Sequence, residues 1–272
     1  MKHIARPAPF VLVSTNHGSM IVNRNDYQMV DGERGFGVGH QLFNTSSFDP
    51  EEVNFVLALL YERQRHFGKG VVAVDCGANI GVHTVEWARF MHGWGSVIAI
   101  EAQERIYYAL AGNIAINNCL NARAIFAAAG ESCTEIRVPM PDYLVPSSFG
   151  SLELRPSPSN EFIGQHIDYS ASGTQEIPQI SLDSLNLARL DFVKIDVEGM
   201  ELDVLHGASQ ALKARKPQLL IEVIKSDRAK LQYVLDKNDY QTFPLGINLL
   251  GVHRSDPSLG SLRVVDGALR LN

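Results

Sequence analysis

Val71-Val72-Ala73-Val74-Asp75-Cys76-Gly77-Ala78-Asn79-Ile80-Gly81 is the stretch whose reading decides the fold. A short apolar, β-branched run ends at Asp75. Gly77 and Gly81 follow, around the small Ala78. Val82, Val85, Trp87, Ala88 and Met91 then recur at helical spacing and share an inward stripe. The order is strand, glycine turn, helix. Such a turn lets a ligand lie against the backbone, and the free amides of the helix N-terminus face it. The expectation is a nucleotide-type ligand at the carboxyl end of a parallel strand.

Working outward, the C-terminal side alternates strands and helices. Residues 96–100 form a strand ending in Glu101, 103–117 a helix and 122–128 a third strand. The pattern resumes with a strand at 191–195, a helix opening at Glu198 and running to about 214, a strand at 218–223 and a helix at 226–238. Two runs at 240–244 and 247–252 meet through Gly246 as an antiparallel pair. This order predicts right-handed crossovers and a mostly parallel sheet, with helices on both faces. Residues 131–180 break the rhythm, with six prolines between Pro139 and Pro178 and many serines. Runs at 135–138, 149–154 and 176–180 read as antiparallel strands of an insertion, a kind of segment that often carries substrate contacts.

Upstream, residues 10–13 and 20–22 flank Asn16-His17-Gly18 as a hairpin. A glycine-rich loop follows at 31–39. Asp49-Pro50-Glu51-Glu52 opens a helix with an apolar face of Val53, Val56, Leu57, Leu60 and Tyr61. The organisation expected is an N-terminal extension over 1–70, able to cover a substrate site, a catalytic domain over 71–254 that includes the 131–180 insertion, and a weakly patterned tail over 255–272.

Composition sets the outer limits. The 272 residues suit one large α/β domain or one domain with a small appendage, and 45% hydrophobic against 20% charged residues allows a full core. A net charge of −6 argues against a nucleic-acid partner. Cys76, Cys119 and Cys133 are odd in number and lack a CxxC spacing, so neither a disulfide framework nor a zinc site is indicated. A reduced, cytoplasmic location fits. No apolar run approaches the roughly 20 residues that span a bilayer, so a soluble protein with no membrane partner is expected.

The chemistry begins at the glycine turn. A dinucleotide fingerprint would place glycines at Asn79 and Val82, and a P-loop would need a Gly-Lys pair, so pyrophosphate-binding turns are disfavoured. Asp75 would repel a phosphate but could hold loop amides or meet a cationic ligand. S-adenosylmethionine, with a positive centre and an ammonium group, matches those charges. Glu101 stands where an acid can accept both ribose hydroxyl protons. Further on, Asp191-Phe192-Val193-Lys194-Ile195-Asp196-Val197-Glu198-Gly199 puts Lys194 and Asp196 on one face of a strand. A lysine in a buried strand needs a partner, and Asp196, Glu198, Asp75 and Glu222 are the candidates.

Val74 to Gly81, Ser181-Leu182-Asp183-Ser184-Leu185 and Asp191 to Glu201 together resemble the FkbM family of S-adenosylmethionine-dependent methyltransferases. Val204 to Ala208 and Pro217 to Glu222 extend the resemblance, which covers about residues 70–253. It implies a class I methyltransferase (Rossmann-like) fold with a seven-stranded, mostly parallel sheet. It also implies O-methylation of a small-molecule or glycan acceptor, sugar and polyketide hydroxyls included. Carried over by position, Asp75, Gly77, Ala78, Asn79 and Gly81 form the methionine-side loop. Glu101 takes the ribose hydroxyls, with Ala102 and Gln103 beside the adenine. Lys194, Asp196 and Glu198 sit near methyl transfer. Asp196 is the first candidate for the base, His83 the second and His166 a third. No set of His, Asp or Glu has convincing metal spacing. The rival readings are a non-catalytic cofactor-binding regulatory module and a dinucleotide-dependent oxidoreductase.

Overall fold

The computed structural model describes residues 6–30, 35–265 and 268–271 and contains two compact units, residues 1–48 with 137–175 and residues 49–136 with 176–272. Part of the glycine-rich stretch at 31–39 lies outside the described residues.

In the first unit β1 (Phe10–Thr15) and β2 (Gly18–Asn23) form the expected hairpin, pairing from Phe10 with Asn23 to Thr15 with Gly18. The short β3 (Gln28–Met29) and β4 (Gly35–Phe36) pair antiparallel, and α1 (Val38–Thr45) follows. Residues distant in sequence close this unit. Asn23 and Asn25 both donate to the Tyr143 carbonyl, each at 3.1 Å. Asp26 accepts from the Gly39 amide at 2.9 Å and from the Phe149 amide at 3.1 Å. The run at 149–154 is not a strand: Phe149–Ser151 is a single 3-10 turn. Its apolar residues Phe149 and Leu152 are nonetheless buried.

Asp26 makes the first unit sensitive to pH. Burial outweighs its two amide bonds and raises its pKa from 3.8 to about 6. The folded state therefore holds this proton more tightly than the unfolded chain. The group's contribution to stability is full below about pH 4 and declines as pH rises towards 6, by roughly 3 kcal/mol at most. Asp26→Asn is expected to remove this dependence, so that the variant gains stability relative to the parent between pH 4 and 7. Urea unfolding across that range measures the difference.

The second unit carries α2 (Pro50–Phe67), β5 (Val71–Cys76), α3 (Val82–Phe90), β6 (Gly95–Glu101), α4 (Glu104–Ile116) and β7 (Ala122–Phe126). β8 (Ala128–Ala129) also lies here, while β9 (Thr134–Pro139) and β10 (Thr174–Ile180) run across the unit boundaries at 136/137 and 175/176; the three form a sheet in the order β8-β10-β9 with β8 and β10 parallel. Then follow β11 (Phe192–Ile195), α5 (Glu201–His206), α6 (Ser209–Ala214), β12 (Gln218–Glu222), α7 (Arg228–Lys237), β13 (Tyr240–Leu245), β14 (Asn248–His253) and the hairpin of β15 (Leu262–Val265) and β16 (Ala268–Leu271). The main sheet has seven strands in the order β13-β14-β12-β11-β5-β6-β7. β12, β11, β5, β6 and β7 are parallel, and β14 is antiparallel to both its neighbours. This is the class I methyltransferase architecture.

Register explains how the sheet gathers its polar residues. Lys194 pairs with Asp75 across β11 and β5, and Glu222 with Asn248 across β12 and β14. These positions lie at or near the carboxyl ends of the parallel strands. The amino edge is held differently. Asp191, 1% exposed, accepts from Val72 N at 2.9 Å and pairs with Arg63 at 3.2 Å and Arg189 at 2.7 Å. Arg63 reaches on to Asp256 at 2.7 Å. One buried cation between two carboxylates thus joins α2, β11 and the turn after β14. Removal of a single partner from such a group is strongly destabilising.

Two further expectations need correction. Leu59, fully buried, takes the inward place on α2 assigned to Tyr61, which is half exposed. The helix expected to run unbroken to about 214 is divided into α5 and α6 at Gly207. A Cβ on Gly207 would lie 2.2 Å from the Gly130 carbonyl oxygen. Asp183 then caps the second piece, accepting from Gln210 N at 2.9 Å and Ala211 N at 2.8 Å. Both causes come from distant residues that periodicity does not see.

Candidate active site

The glycine turn after β5 spends its own amides. Gly77 N and Ala78 N both donate to Ile100 O at 3.0 Å. Asn79 N donates to Glu101 Oε2 at 2.9 Å, Ile80 N to the Asn79 side chain at 2.7 Å and Gly81 N to Ala78 O at 2.9 Å. The amides of residues 77 to 81 are therefore taken up within the chain, ahead of the N-terminus of α3 at Val82. The failed phosphate fingerprints have their structural counterpart here, because a phosphate cradle needs those donors.

Gly77 has φ +77°, and a Cβ there would lie 1.7 Å from the Asp196 carbonyl oxygen. The close approach that requires glycine is between two loops of the chain itself. Asp196 N also donates to Cys76 O at 3.0 Å, so the turns after β5 and β11 are in direct contact. Gly81, φ +88°, lies against Leu110. Asn79 likewise has a positive φ, of 50°.

Asp75, 1% exposed, accepts from Thr84 Oγ1 at 2.6 Å through one oxygen. Its other oxygen, Oδ1, is buried with no hydrogen-bond partner among the described residues. Glu101, 6% exposed, accepts from Asn79 N and from Gln103 N at 2.7 Å. Burial raises its pKa to about 7, with Asp75 adding to the rise while the amides of Gln103, Asn79 and Ala102 oppose it. Gln103 is the residue just before α4, so Glu101 ties the glycine turn to the start of the next helix.

Lys194 Nζ meets Asp196 Oδ2 at 2.5 Å. Their exposures differ: the lysine side chain is 8% exposed and the aspartate 31%. Burial alone would lower the lysine pKa, but Asp196, Asp75 and Glu52 together push it up, so Lys194 stays a cation. Of the four carboxylates expected as partners, Asp196 forms the direct ion pair. Glu198, in a left-handed conformation with φ 53°, pairs with Lys225 at 2.6 Å. Burial and neighbouring acids raise the pKa values of both Glu198 and Glu222. Asp196, Glu198 and Glu222 bring one oxygen each within 4.8 Å of one another, a spacing able to surround a cation that sequence spacing did not reveal. Lys194 and Lys225 already oppose two of the three.

His83, 6% exposed, packs against Trp87 at 5.6 Å between ring centroids. Its Nε2 lies 3.3 Å from Glu52 Oε1. Glu52 also accepts from Asn248 Nδ2 at 2.6 Å. Burial opposes the Glu52 charge, yet His83, Lys194 and Asn248 outweigh it and hold the carboxyl below its ordinary value. Glu52, Asn248, Thr84 and Lys225 are the neighbours that sequence reading missed. Glu52 looked like an acid favouring a helix start, and its reach to His83 depends on how α2 packs. His166 belongs to the first unit, where it is exposed and its ring packs against Phe162.

Residues 75–242, more than half of the chain, match the family described as the methyltransferase FkbM domain. The chain belongs to this family. The matched region is thus a methyltransferase domain. No curated protein matches the chain. Among solved structures it is similar to an FkbM methyltransferase from Methylobacillus flagellatus, at 22% identity over 68% of this chain, with a TM-score of 0.47. The match spans 43% of that longer chain. It is also similar to a precorrin-6y C5,15-methyltransferase from Geobacter metallireducens, at 12% identity over 77% of this chain and 89% of that one, with a TM-score of 0.42. A SAM-dependent methyltransferase from Aquifex aeolicus shares 13% identity over 76% of this chain and 97% of its own, with a TM-score of 0.35. Among the described residues, no helix is long and apolar enough to cross a membrane.

Proposed function

We propose that this FkbM methyltransferase O-methylates a hydroxyl of a sugar, glycan or natural-product acceptor. The observation that carries the reading is the Lys194–Asp196 pair: a buried lysine, fixed as a cation, holds a part-exposed carboxylate at the carboxyl edge of the sheet.

The residues at hand fit the donor. Asp75 Oδ1 is a buried acceptor whose hydrogen-bonding capacity the chain leaves unused, which suits an ammonium donor. Glu101 ends the second strand with its carboxylate fixed by backbone amides, which suits a ribose diol. Gly77, Ala78, Asn79 and Gly81 would line the methionine side, with Ala102 and Gln103 beside the base and Glu198 closing the methyl end. When bound, S-adenosylmethionine supplies a methyl carbon activated by the adjacent sulfonium.

The chain then has two tasks, alignment and proton removal. Asp196 takes the acceptor hydroxyl's proton. Lys194, which keeps its own proton, orients that carboxylate and favours its charged form. Both His83 ring nitrogens are shut off from solvent, which makes Asp196 the better placed base and leaves His83 to pack against Trp87 and meet Glu52. Asp196→Asn is expected to lower kcat by about 10²–10⁴-fold while S-adenosylmethionine affinity changes less than about threefold. Stopped-time methyl transfer and calorimetry measure the two. Equal losses in both would assign Asp196 a structural part.

The decisive experiment offers methyl-labelled S-adenosylmethionine and a panel of sugars, glycans and polyketide alcohols. A labelled methyl ether is the expected product. Cofactor binding with no transfer across the panel would favour a regulatory module, and NAD(P) binding without S-adenosylmethionine binding would overturn the reading.

A further inference from the structure

Asp196 and Glu198 stand on a tight turn that has little regular structure of its own. Val197, Glu198, Gly199 and Met200 lie between the end of β11 and the start of α5. Glu198 and Gly199 both adopt positive φ, 53° and 95°. A turn with two left-handed residues in succession needs something to hold it. The holder is Glu201, the first residue of α5 and only 1% exposed. Its Oε1 accepts from Val197 N at 3.2 Å and from Gly199 N at 3.1 Å. Its Oε2 accepts a hydrogen bond from the Ser226 hydroxyl.

Ser226 belongs to another loop, the one between β12 and α7. That loop is itself pinned. Val223 N donates to Ile247 O at 3.1 Å, and Asp227 caps α7 through Ala229 N and Lys230 N, both at 3.1 Å. The residue before Ser226 is Lys225, which pairs with Glu198 at 2.6 Å. The two loops are thus joined twice, once by Glu201–Ser226 and once by Glu198–Lys225.

We propose that Glu201 is a positioning residue for methyl transfer: its buried carboxylate holds the Asp196–Gly199 turn and clasps it, through Ser226, to the loop that carries Lys225. The chain's own amides and hydroxyl satisfy the carboxylate, so Glu201 acts through Asp196 and Glu198 and touches no reacting atom. This inference rests on the reading of Asp196 as the group facing the acceptor.

Three variants test it. Ser226→Ala removes one hydroxyl from a part-buried loop and leaves the turn's amides bonded. Glu201→Gln keeps an oxygen for both amides and can donate to Ser226 Oγ. Glu201→Ala removes the clasp altogether. Hydrogen exchange at Val197 and Gly199, measured with S-adenosylhomocysteine bound, reports on the clasp without any acceptor. The expected result is exchange about tenfold faster in Glu201→Ala and close to the parent in Glu201→Gln. Methyl transfer to an acceptor identified from the hydroxyl panel reports on positioning. There kcat is expected to fall about tenfold to a hundredfold in Glu201→Ala, less in Ser226→Ala, and to recover in Glu201→Gln. The KM for S-adenosylmethionine should stay within about twofold. Unchanged exchange, or equal kcat in Glu201→Ala and the parent, would overturn the proposal. So would loss of cofactor affinity and thermal stability in step with kcat, since that marks a merely structural residue. Should exchange respond while Asp196→Asn leaves kcat intact, the clasp stands and the reading of Asp196 is what fails.

Discussion

Gly77→Ala is expected to lower the rate of methyl transfer by about a hundredfold or more and the melting temperature by about 5–10 °C. Two effects combine. At φ +77° a side chain is strained by about 1–2 kcal/mol. The larger effect is spatial: the new Cβ would fall 1.7 Å from the Asp196 carbonyl oxygen and 2.8 Å from its carbon. Neither neighbour is a flexible side chain, so the backbone of one turn has to move by more than an ångström. Overpacking of this kind destabilises by about 1–3 kcal/mol or more. The displaced residue is the proposed base, and a 1 Å misplacement at a reacting group costs about a hundredfold in rate. Gly93→Ala separates the two effects. Gly93 has nearly the same φ, +78°, but a Cβ there meets nothing within 4 Å. It should show the conformational strain alone and keep its activity. Equal behaviour of the two variants, by thermal melting and labelled methyl transfer, would refute the account of contact between the turns.

Glu101→Ala is expected to weaken S-adenosylmethionine binding by roughly 1.5–3 kcal/mol, the scale of charge-assisted hydrogen bonds, or about 10- to 150-fold. Unchanged affinity would refute the ribose role. The carboxylate also serves the protein, because it accepts from Asn79 N and Gln103 N. Alanine would leave these two amides without it, so some loss of stability should accompany the loss of affinity. Glu101→Gln keeps one acceptor oxygen and is the milder variant. The parent should also show a pH dependence. Its pKa is raised to about 7 by burial, and ribose hydroxyls donate to the ionised form. Affinity therefore rises as pH climbs to about 7, levels above it, and falls on acidification as the carboxyl takes up its proton. Calorimetry from pH 5.5 to 8.5 should give a much flatter profile for Glu101→Gln.

The strands and helices from β5 to β7 were legible because each carries its own signal: a β-branched run, a glycine break, an apolar stripe. The Lys194–Asp196 pair was legible for a similar reason, since alternation along one strand places both on one face. What could not be read depends on residues far away. Gly207, where the helix divides, has the Gly130 carbonyl so close that no side chain fits. Phe149 begins a buried turn instead of a strand, and hydrophobicity alone does not distinguish the two. Glu52 reaches His83 and Asn248 through the packing of α2 and β14. At Gly77, singled out as a position needing glycine, the backbone that comes close within the chain is that of Asp196, a neighbour the sequence did not name. A glycine signals that something comes close without saying what.

The strand order has a practical bearing on where this chain can be cut. The family match ends at residue 242, inside β13 and before β14. Yet β14 lies between β12 and β13 in the sheet. A fragment trimmed to 75–242 would leave β12 with a bare row of backbone donors and acceptors, the kind of edge that recruits other chains into aggregates. It would also lose α2 and the turn at Asp256, two of the three elements that meet at Arg63. The part of this protein that kinship makes recognisable is smaller than the part that completes its sheet.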